Sequence, residues 1–327
     1  MLAICAFAQN VPPAPPAKPE KAEKDKWLKK DTPPRPRLSG GSSERALAVD
    51  PNVNLSLCVT QGDLKVNGWK RNEVRVFVDG GVKFGFKVLQ KSSKTDAPVW
   101  IMIIPDAGSK TSSECIWGNT IEIDAPANAI VNIKGREIST SVDGIRKAGI
   151  QNVGGDISIR NISDGITATT YRGDLTVESS HGAMALESTN GNILVFAAGP
   201  SEIGDIFKAK TNSGRISLQK VEHRQIEVKT VSGSLNYNGD LLSGGSYNFD
   251  TSNGEIRLLL PQKASCMLTA IYGYGNFNTE LPLEIFTETV GPDSVKTVNG
   301  RIGTAAVSQN ATVKMTTSSG RIAIKKL

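Results

Sequence analysis

From about residue 133 to the C-terminus, apolar positions recur in one frame. A Thr/Ser/Asn-rich turn leads to a Gly, and two apolar residues separated by one polar residue follow. The frame reads Thr211-Asn-Ser-Gly214-Arg-Ile-Ser-Leu218, Thr230-Val-Ser-Gly233-Ser-Leu-Asn-Tyr237 and Thr251-Ser-Asn-Gly254-Glu-Ile-Arg-Leu258. It returns as Thr297-Val-Asn-Gly300-Arg-Ile302 and Thr317-Ser-Ser-Gly320-Arg-Ile-Ala-Ile324, with looser copies at Gly155, Gly173, Gly182, Gly191 and Gly275. Ile216 and Leu218 lie two positions apart, so in a strand they share a face. Gly suits the turn because it accepts a positive φ without a Cβ clash.

The glycines mark a unit of about twenty residues, and those at 165, 173, 182 and 191 follow at steps of 8, 9 and 9. Each unit therefore holds two short strands and two turns. One unit cannot bury its apolar pair, but stacked units share a continuous core. The expected class is all-β: a parallel β-solenoid, a right-handed β-helix by analogy with parallel crossovers. An antiparallel sandwich is the alternative, but recurrence of one turn chemistry on one side of the apolar pair favours stacked rungs. The Thr, Ser and Asn of the turns are expected to stack as hydrogen-bonded ladders.

Residues 44–132 differ, with longer strands expected at 53–59, 63–66, 73–78, 85–90 and 99–104. They read as a β-rich N-terminal cap, and 133–327 as the solenoid. A solenoid end is an open sheet edge, which Lys325 and Lys326 would blunt at the C-terminus. Residues 9–43 read as a linker: Val11-Pro-Pro-Ala-Pro-Pro16 is stiff and extended, and a mixed-charge run follows. The net charge of +6 sits largely there, since residues 18–37 hold eight positive and four negative side chains. The rest is close to neutral, which argues against a nucleic-acid groove.

The first eight residues, ending in Ala6-Phe7-Ala8, read as a signal peptide with a small-x-small cleavage site. It lacks a basic leader, so residues upstream are expected. Cys5 is also considered as a lipid-attachment site. No later apolar stretch is long enough to span a membrane as a helix. The chain is read as exported: periplasmic, surface-bound or secreted. In that setting Cys58 and Cys115 are the expected disulfide, with Cys266 left over. With no Cys-x-x-Cys and two His, neither a zinc site nor any other cofactor is expected.

The run Leu57-Cys-Val-Thr-Gln-Gly62-Asp-Leu-Lys-Val66-Asn-Gly68-Trp69, then Ile121-Glu-Ile-Asp-Ala-Pro126 and the Gly-x-Ile turns, resembles a known family. It is the bacterial putative-adhesin family of β-solenoid domains, a domain of unknown function. The resemblance covers about 50–327. It implies an exported or envelope-associated repeat domain with no established catalytic residues.

The expected function is therefore a non-enzymatic adhesive or structural surface in the bacterial envelope, meeting a glycan or a protein partner. The candidate ligand face comprises Arg215, Arg301 and Arg321, each just after a turn Gly, and the aromatics Tyr272 and Tyr274. Arg301 and Arg321 are expected to stack one unit apart. An alternative is a carbohydrate-active enzyme using Asp143, Asp156, Asp164 and Asp174, although turn aspartates commonly serve the turn itself. A calcium-binding nonapeptide lacks its Gly-Gly-x-Gly-x-Asp motif. His181 and His223 read as turn or surface residues. A self-assembling scaffold is the third reading, opposed by the capped N-terminal end and the Lys-rich C-terminal end.

Overall fold

The computed structural model describes residues 40–106, 115–303 and 310–327. The expected signal peptide, Cys5 and almost all of the 9–43 linker lie outside them. Among the described residues the fold is all-β, with one short 3-10 turn at Pro292–Ser294. No helix in them is long and apolar enough to cross a membrane.

The chain opens with β1 (Gly41–Ala48), β2 (Asn54–Trp69), β3 (Glu73–Gly81), β4 (Phe84–Lys91), β5 (Pro98–Pro105) and β6 (Thr120–Pro126). After β7 (Ile130–Asp143) the strands come in pairs, and each pair is one rung. These are β8 (Lys147–Gly154) with β9 (Ile157–Arg160), β10 (Ile166–Arg172) with β11 (Leu175–His181), and β12 (Met184–Asn190) with β13 (Ile193–Gly199). Then follow β14 (Ile206–Ser213) with β15 (Ile216–Val221), β16 (Gln225–Ser232) with β17 (Leu235–Asn238), and β18 (Ser246–Asn253) with β19 (Ile256–Leu260). The chain closes with β20 (Cys266–Thr279), β21 (Leu283–Val290), β22 (Lys296–Ile302) and β23 (Ala311–Lys326).

The first strand of each rung pairs in parallel with the first strand of the next, forming sheet I. The second strands do the same in sheet II. Strands β2, β7, β20 and β23 are long enough to run round the bend and serve both sheets. Alternation then sorts the side chains. Phe207, Ala209, Ile216 and Leu218 are buried between the sheets, while Lys208, Lys210 and Ser217 face out. Each large apolar side chain so buried contributes about 1.5–3 kcal/mol.

Tight stacking is made possible by a column of glycines at the bend. Its order along the stack is Gly155, Gly173, Gly191, Gly214, Gly233, Gly254, Gly320, Gly275. All but Gly191 sit at positive φ, and a Cβ on any of them would overlap a backbone carbonyl of a neighbouring rung. The buried hydroxyls beneath them do not form the hydrogen-bonded ladder that the turn pattern predicts. Instead most bridge to a carbonyl one rung back: Ser188 Oγ donates to Gly173 O (3.0 Å), Thr211 Oγ1 to Gly191 O (3.0 Å) and Thr251 Oγ1 to Gly233 O (3.1 Å), while Thr170 Oγ1 donates to Arg172 O of its own strand (3.2 Å).

The C-terminal region departs from the expected order. Gly300 is not in the column, because β22 runs antiparallel to β20 and β21 runs antiparallel to β22. Gly300 is needed instead for the close approach of β21, since a Cβ there would lie 2.6 Å from Glu284 O. The last strand, β23, is not an edge: it lies between β18/β19 and β20, parallel to both. Lys325 and Lys326 therefore blunt no edge of the stack. The N-terminal end has the same inversion, with β2 inside and β5/β6 outside it. There β4 covers β5 in sheet I, and β3 followed by β1 covers β6 in sheet II, all antiparallel.

Cys58 and Cys115 form the disulfide, tying β2 to the segment that leads into β6. It closes a loop between residues 57 apart, a constraint contributing about 4 kcal/mol in the chain-entropy account. Cys266 is buried at the start of β20, where burial pushes its thiol up to about 12. It is thus protonated and inert at neutral pH.

Candidate functional site

The position after each column Gly is the first that faces out of sheet II. In stack order it holds Asp156, Asp174, Asn192, Arg215, Ser234, Glu255, Arg321 and Asn276. Two residues further on, a second column holds Ser158, Thr176, Leu194, Ser217, Asn236, Arg257, Ala323 and Asn278. Together they make a mainly polar stripe whose side chains repeat at the strand spacing, ~4.8 Å.

The acidic end of the stripe is committed to the fold. Asp156 Oδ1 accepts from Asp174 N at 2.9 Å, and Asp174 Oδ1 accepts from Asn192 N at 2.7 Å. Asn192 Oδ1 in turn accepts from Arg215 N at 2.9 Å. Each carboxylate or amide thus meets the backbone N–H of the next rung. Beside this ladder lies a shallow groove of about 520 Å³, with Asp63, Lys65, Ser139, Ser141, Ser158 and Thr176 among its walls.

Toward the C-terminal rungs the stripe turns basic. Arg257 donates through one terminal nitrogen to both Glu255 oxygens at 3.1 Å, and Arg321 Nε lies 3.5 Å from Glu255 Oε1. Arg215 Nε donates to Ser234 Oγ at 3.2 Å. Two guanidinium groups, Arg257 and Arg321, therefore share the Glu255 carboxylate, and Arg215 is held two rungs away by Ser234.

The expected face is thus only partly assembled. Arg215 and Arg321 lie on one line, but Arg301 sits on β22 and pairs with Glu284 at 2.6 Å. It does not stack on Arg321, because β20 lies between their strands. Arg257, which spacing from the Gly had not singled out, takes the place expected of Arg301. The signal for it was the Glu-Ile-Arg order of residues 255–257, which sets an acid and a base on one outer face. Tyr272 and Tyr274 form no joint platform. Tyr272 is buried beside Phe277, whereas Tyr274 is exposed.

The four aspartates do not converge either. Asp156 and Asp174 are neighbours in the stripe. Asp143 ends β7, bonded to Asn161 Nδ2 (2.7 Å) and 3.3 Å from an Arg160 nitrogen. Asp164 lies at the opposite turn, between β9 and β10. Among the described residues no three His, Cys, Asp or Glu side chains are placed to hold a metal ion. Sheet I carries a different surface: Lys208 pairs with Glu227 (3.2 Å), Lys210 with Glu187 (3.0 Å) and Lys229 with Asp250 (3.6 Å). These exposed pairs are mutually compensated and contribute little to stability.

His181 is an exposed strand-end residue, as read from the sequence, but His223 is buried. Its ring tilts against Phe207, and its protonated Nε2 donates to Gly182 O at 2.9 Å. Nδ1 is buried and has no hydrogen-bond partner among the described residues. Burial pushes its pKa below the ordinary value, outweighing the Gly182 carbonyl. The unfolded chain then binds the proton more tightly, so this contribution is complete above about pH 6.5 and declines as pH falls below it. We expect the melting temperature to drop between pH 7.5 and 5.5, and to drop less in His223→Gln. Identical pH profiles for the two proteins would exclude His223 as the cause.

Residues 146–325 match the family model Toastrack DUF4097. No curated protein matches the chain in sequence. Among solved structures, a "putative cell adhesion protein" from Clostridium sporogenes is similar over 88% of this chain and 100% of its own, at 16% identity and a TM-score of 0.22. A "putative adhesin" from Bacteroides fragilis is similar over 89% and 99%, at 14% identity and a TM-score of 0.37. A "putative lipid binding protein" from Parabacteroides distasonis is similar over 89% and 98%, at 10% identity and a TM-score of 0.36.

Proposed function

The chain belongs to the Toastrack DUF4097 family, and from that premise we propose a non-enzymatic, exported surface module of the bacterial envelope that binds a linear glycan. One observation carries this reading: the polar stripe of sheet II repeats at a constant spacing over eight rungs, from Asp156 to Asn276. A linear array of hydroxyl, amide and guanidinium groups suits a linear ligand whose own groups repeat. It offers no enclosed pocket in which to desolvate a reacting bond.

The basic end favours an acidic glycan. Arg215, Arg257 and Arg321 carry three positive charges against the single charge of Glu255, and a planar guanidinium binds a carboxylate or sulfate bidentately. At the other end Asp156 and Asp174 each accept a backbone N–H from the next rung, which favours a structural role for these two carboxylates. The disulfide supports an oxidising compartment, and so export.

A binding screen against acidic and neutral polysaccharides tests the proposal. Binding to an acidic polymer should weaken about tenfold in an Arg215→Gln/Arg321→Gln double variant, and should weaken with salt. The control is Lys208→Gln/Lys210→Gln on the opposite sheet, expected to change little. Equal loss in both double variants would mean non-specific charge attraction, and no loss in either would remove the stripe as the binding face.

A further inference from the structure

Because β2 and β23 lie inside the stack, the two poles are built from other strands. At one pole the outer strand of sheet I is β4, and at the other it is β21. Both are eight residues long, and neither pairs on its outer side among the described residues. Their directions are complementary. β4 runs against the rungs, since it is antiparallel to β5, which is parallel to β2. β21 runs with the rungs, because two antiparallel steps separate it from β20. A second copy moved along the stack axis would therefore set its β4 antiparallel to β21, the orientation that continues sheet I.

The chemistry of the two poles is complementary as well. Exposed apolar side chains concentrate at both: Val88, Leu89 and Trp100 are 39–44% exposed, and Ile285, Phe286, Val290 and Tyr274 are 48–79% exposed. Each edge strand carries a bulge, and the residue skipped by the register is apolar in both, Leu89 in β4 and Phe286 in β21. Bulges ordinarily protect an edge by interrupting its ladder. Here each also turns out a large apolar group, so that contact rests on side chains rather than a long run of backbone bonds. Lys83, Lys87 and Lys94 are exposed at the β4 pole, beside the Lys91–Asp96 pair. Glu280, Glu288 and Asp293 are exposed at the β21 pole, beside the Glu284–Arg301 pair. One cation, Lys296, is also there, 6.0 Å from the centre of the Tyr272 ring.

We propose that this protein associates head-to-tail with further copies of itself, the basic β4 pole of one meeting the acidic β21 pole of the next. The interface is heterologous, so it does not close at two and builds open chains. Such a chain would repeat the sheet II stripe once per copy on one side of the assembly, although the proposal does not depend on what the stripe binds. The arguments against stacking read from the sequence do not hold. The Lys-rich end of β23 is inside the stack, and β4 has no partner on its outer side among the described residues.

Sedimentation velocity of the full chain, without glycan, tests this. Weight-average mass should rise with concentration without a plateau at the dimer, and fall in high salt. Lys87→Glu and Glu288→Lys should each weaken association about tenfold, and the double variant should recover most of that loss. All three replace exposed residues, and unchanged melting temperatures would confirm folding. A monomer at every concentration overturns the proposal. So does a species that stops at the dimer and ignores Lys87→Glu, which would indicate symmetric β21-to-β21 pairing.

Discussion

Replacing Gly214 with Ala should lower the unfolding free energy by at least about 3 kcal/mol, from two penalties that act together. Gly214 sits at φ 151°, where an L side chain is strained, and its new Cβ would overlap Gly191 O. That carbonyl cannot retreat freely, since it accepts the buried Thr211 hydroxyl at 3.0 Å. Nor can Gly214 move away, because its N–H donates to Ser232 O on the following rung at 3.0 Å. Two other glycines separate the contributions. Gly244 has φ 68° with nothing near its Cβ, so Gly244→Ala should cost only the backbone strain, about 1–2 kcal/mol. At Gly41 nothing lies within 4 Å and φ is unrestricted, so Gly41→Ala should stay within about 0.5 kcal/mol. Urea denaturation of the three variants measures this directly. Equal losses for Gly214→Ala and Gly244→Ala would show that stacking places no demand on the column. Hydrogen exchange should also quicken in β14–β17 before it does in β2 and β6, because solenoid stability is transmitted between neighbouring rungs.

This dependence explains which parts of the fold were legible in the sequence. The bend demands Gly for φ and for close approach, the buried hydroxyl needs Thr or Ser, and alternation sorts the faces. Those constraints act within a few residues, so each rung left a readable phrase. The order of the rungs did not, since it is set by non-local pairing. Thr297-Val-Asn-Gly-Arg-Ile302 matches the phrase, yet it runs antiparallel and uses Gly300 to admit β21. The same local chemistry serves both strand directions, and the Arg301–Arg321 prediction failed for that reason. In the stripe, Arg215 and Arg321 were visible because they follow a column Gly. Arg257 was missed because its importance lies in reaching back to Glu255 across one intervening residue. His223 was misread because a lone His between two strands carries no periodic signal for burial.

The strand order itself makes the second large prediction. Deleting residues 311–327 should abolish cooperative folding, whereas a terminal edge rung would be dispensable. Val313, Met315, Ile322 and Ile324 of β23 are buried between the sheets, and Thr317 Oγ1 donates to Gly254 O at 3.3 Å. At about 1.5–3 kcal/mol for each large apolar side chain, the loss approaches the whole net stability of an ordinary domain. Deletion also strips the partners from both neighbours, β18/β19 on one side and β20 on the other. The hairpin of β21 and β22 then hangs on a strand detached from the stack. Circular dichroism melting of the truncated chain should show a broad, non-cooperative transition. Adding residues 311–327 as a peptide should restore part of it, because the slot accepts an extended strand parallel to both walls. Point variants grade the effect: Ile324→Ala should cost about 2–5 kcal/mol, and Lys325→Ala, half-exposed on the outer face, under about 0.5 kcal/mol. A truncated chain that melts cooperatively within a few degrees of the intact protein would place β23 at the edge after all. A sharp loss would make the entry of β23 a condition of folding, and folding would wait on the long-range pairing that sets Thr312 beside Ser246.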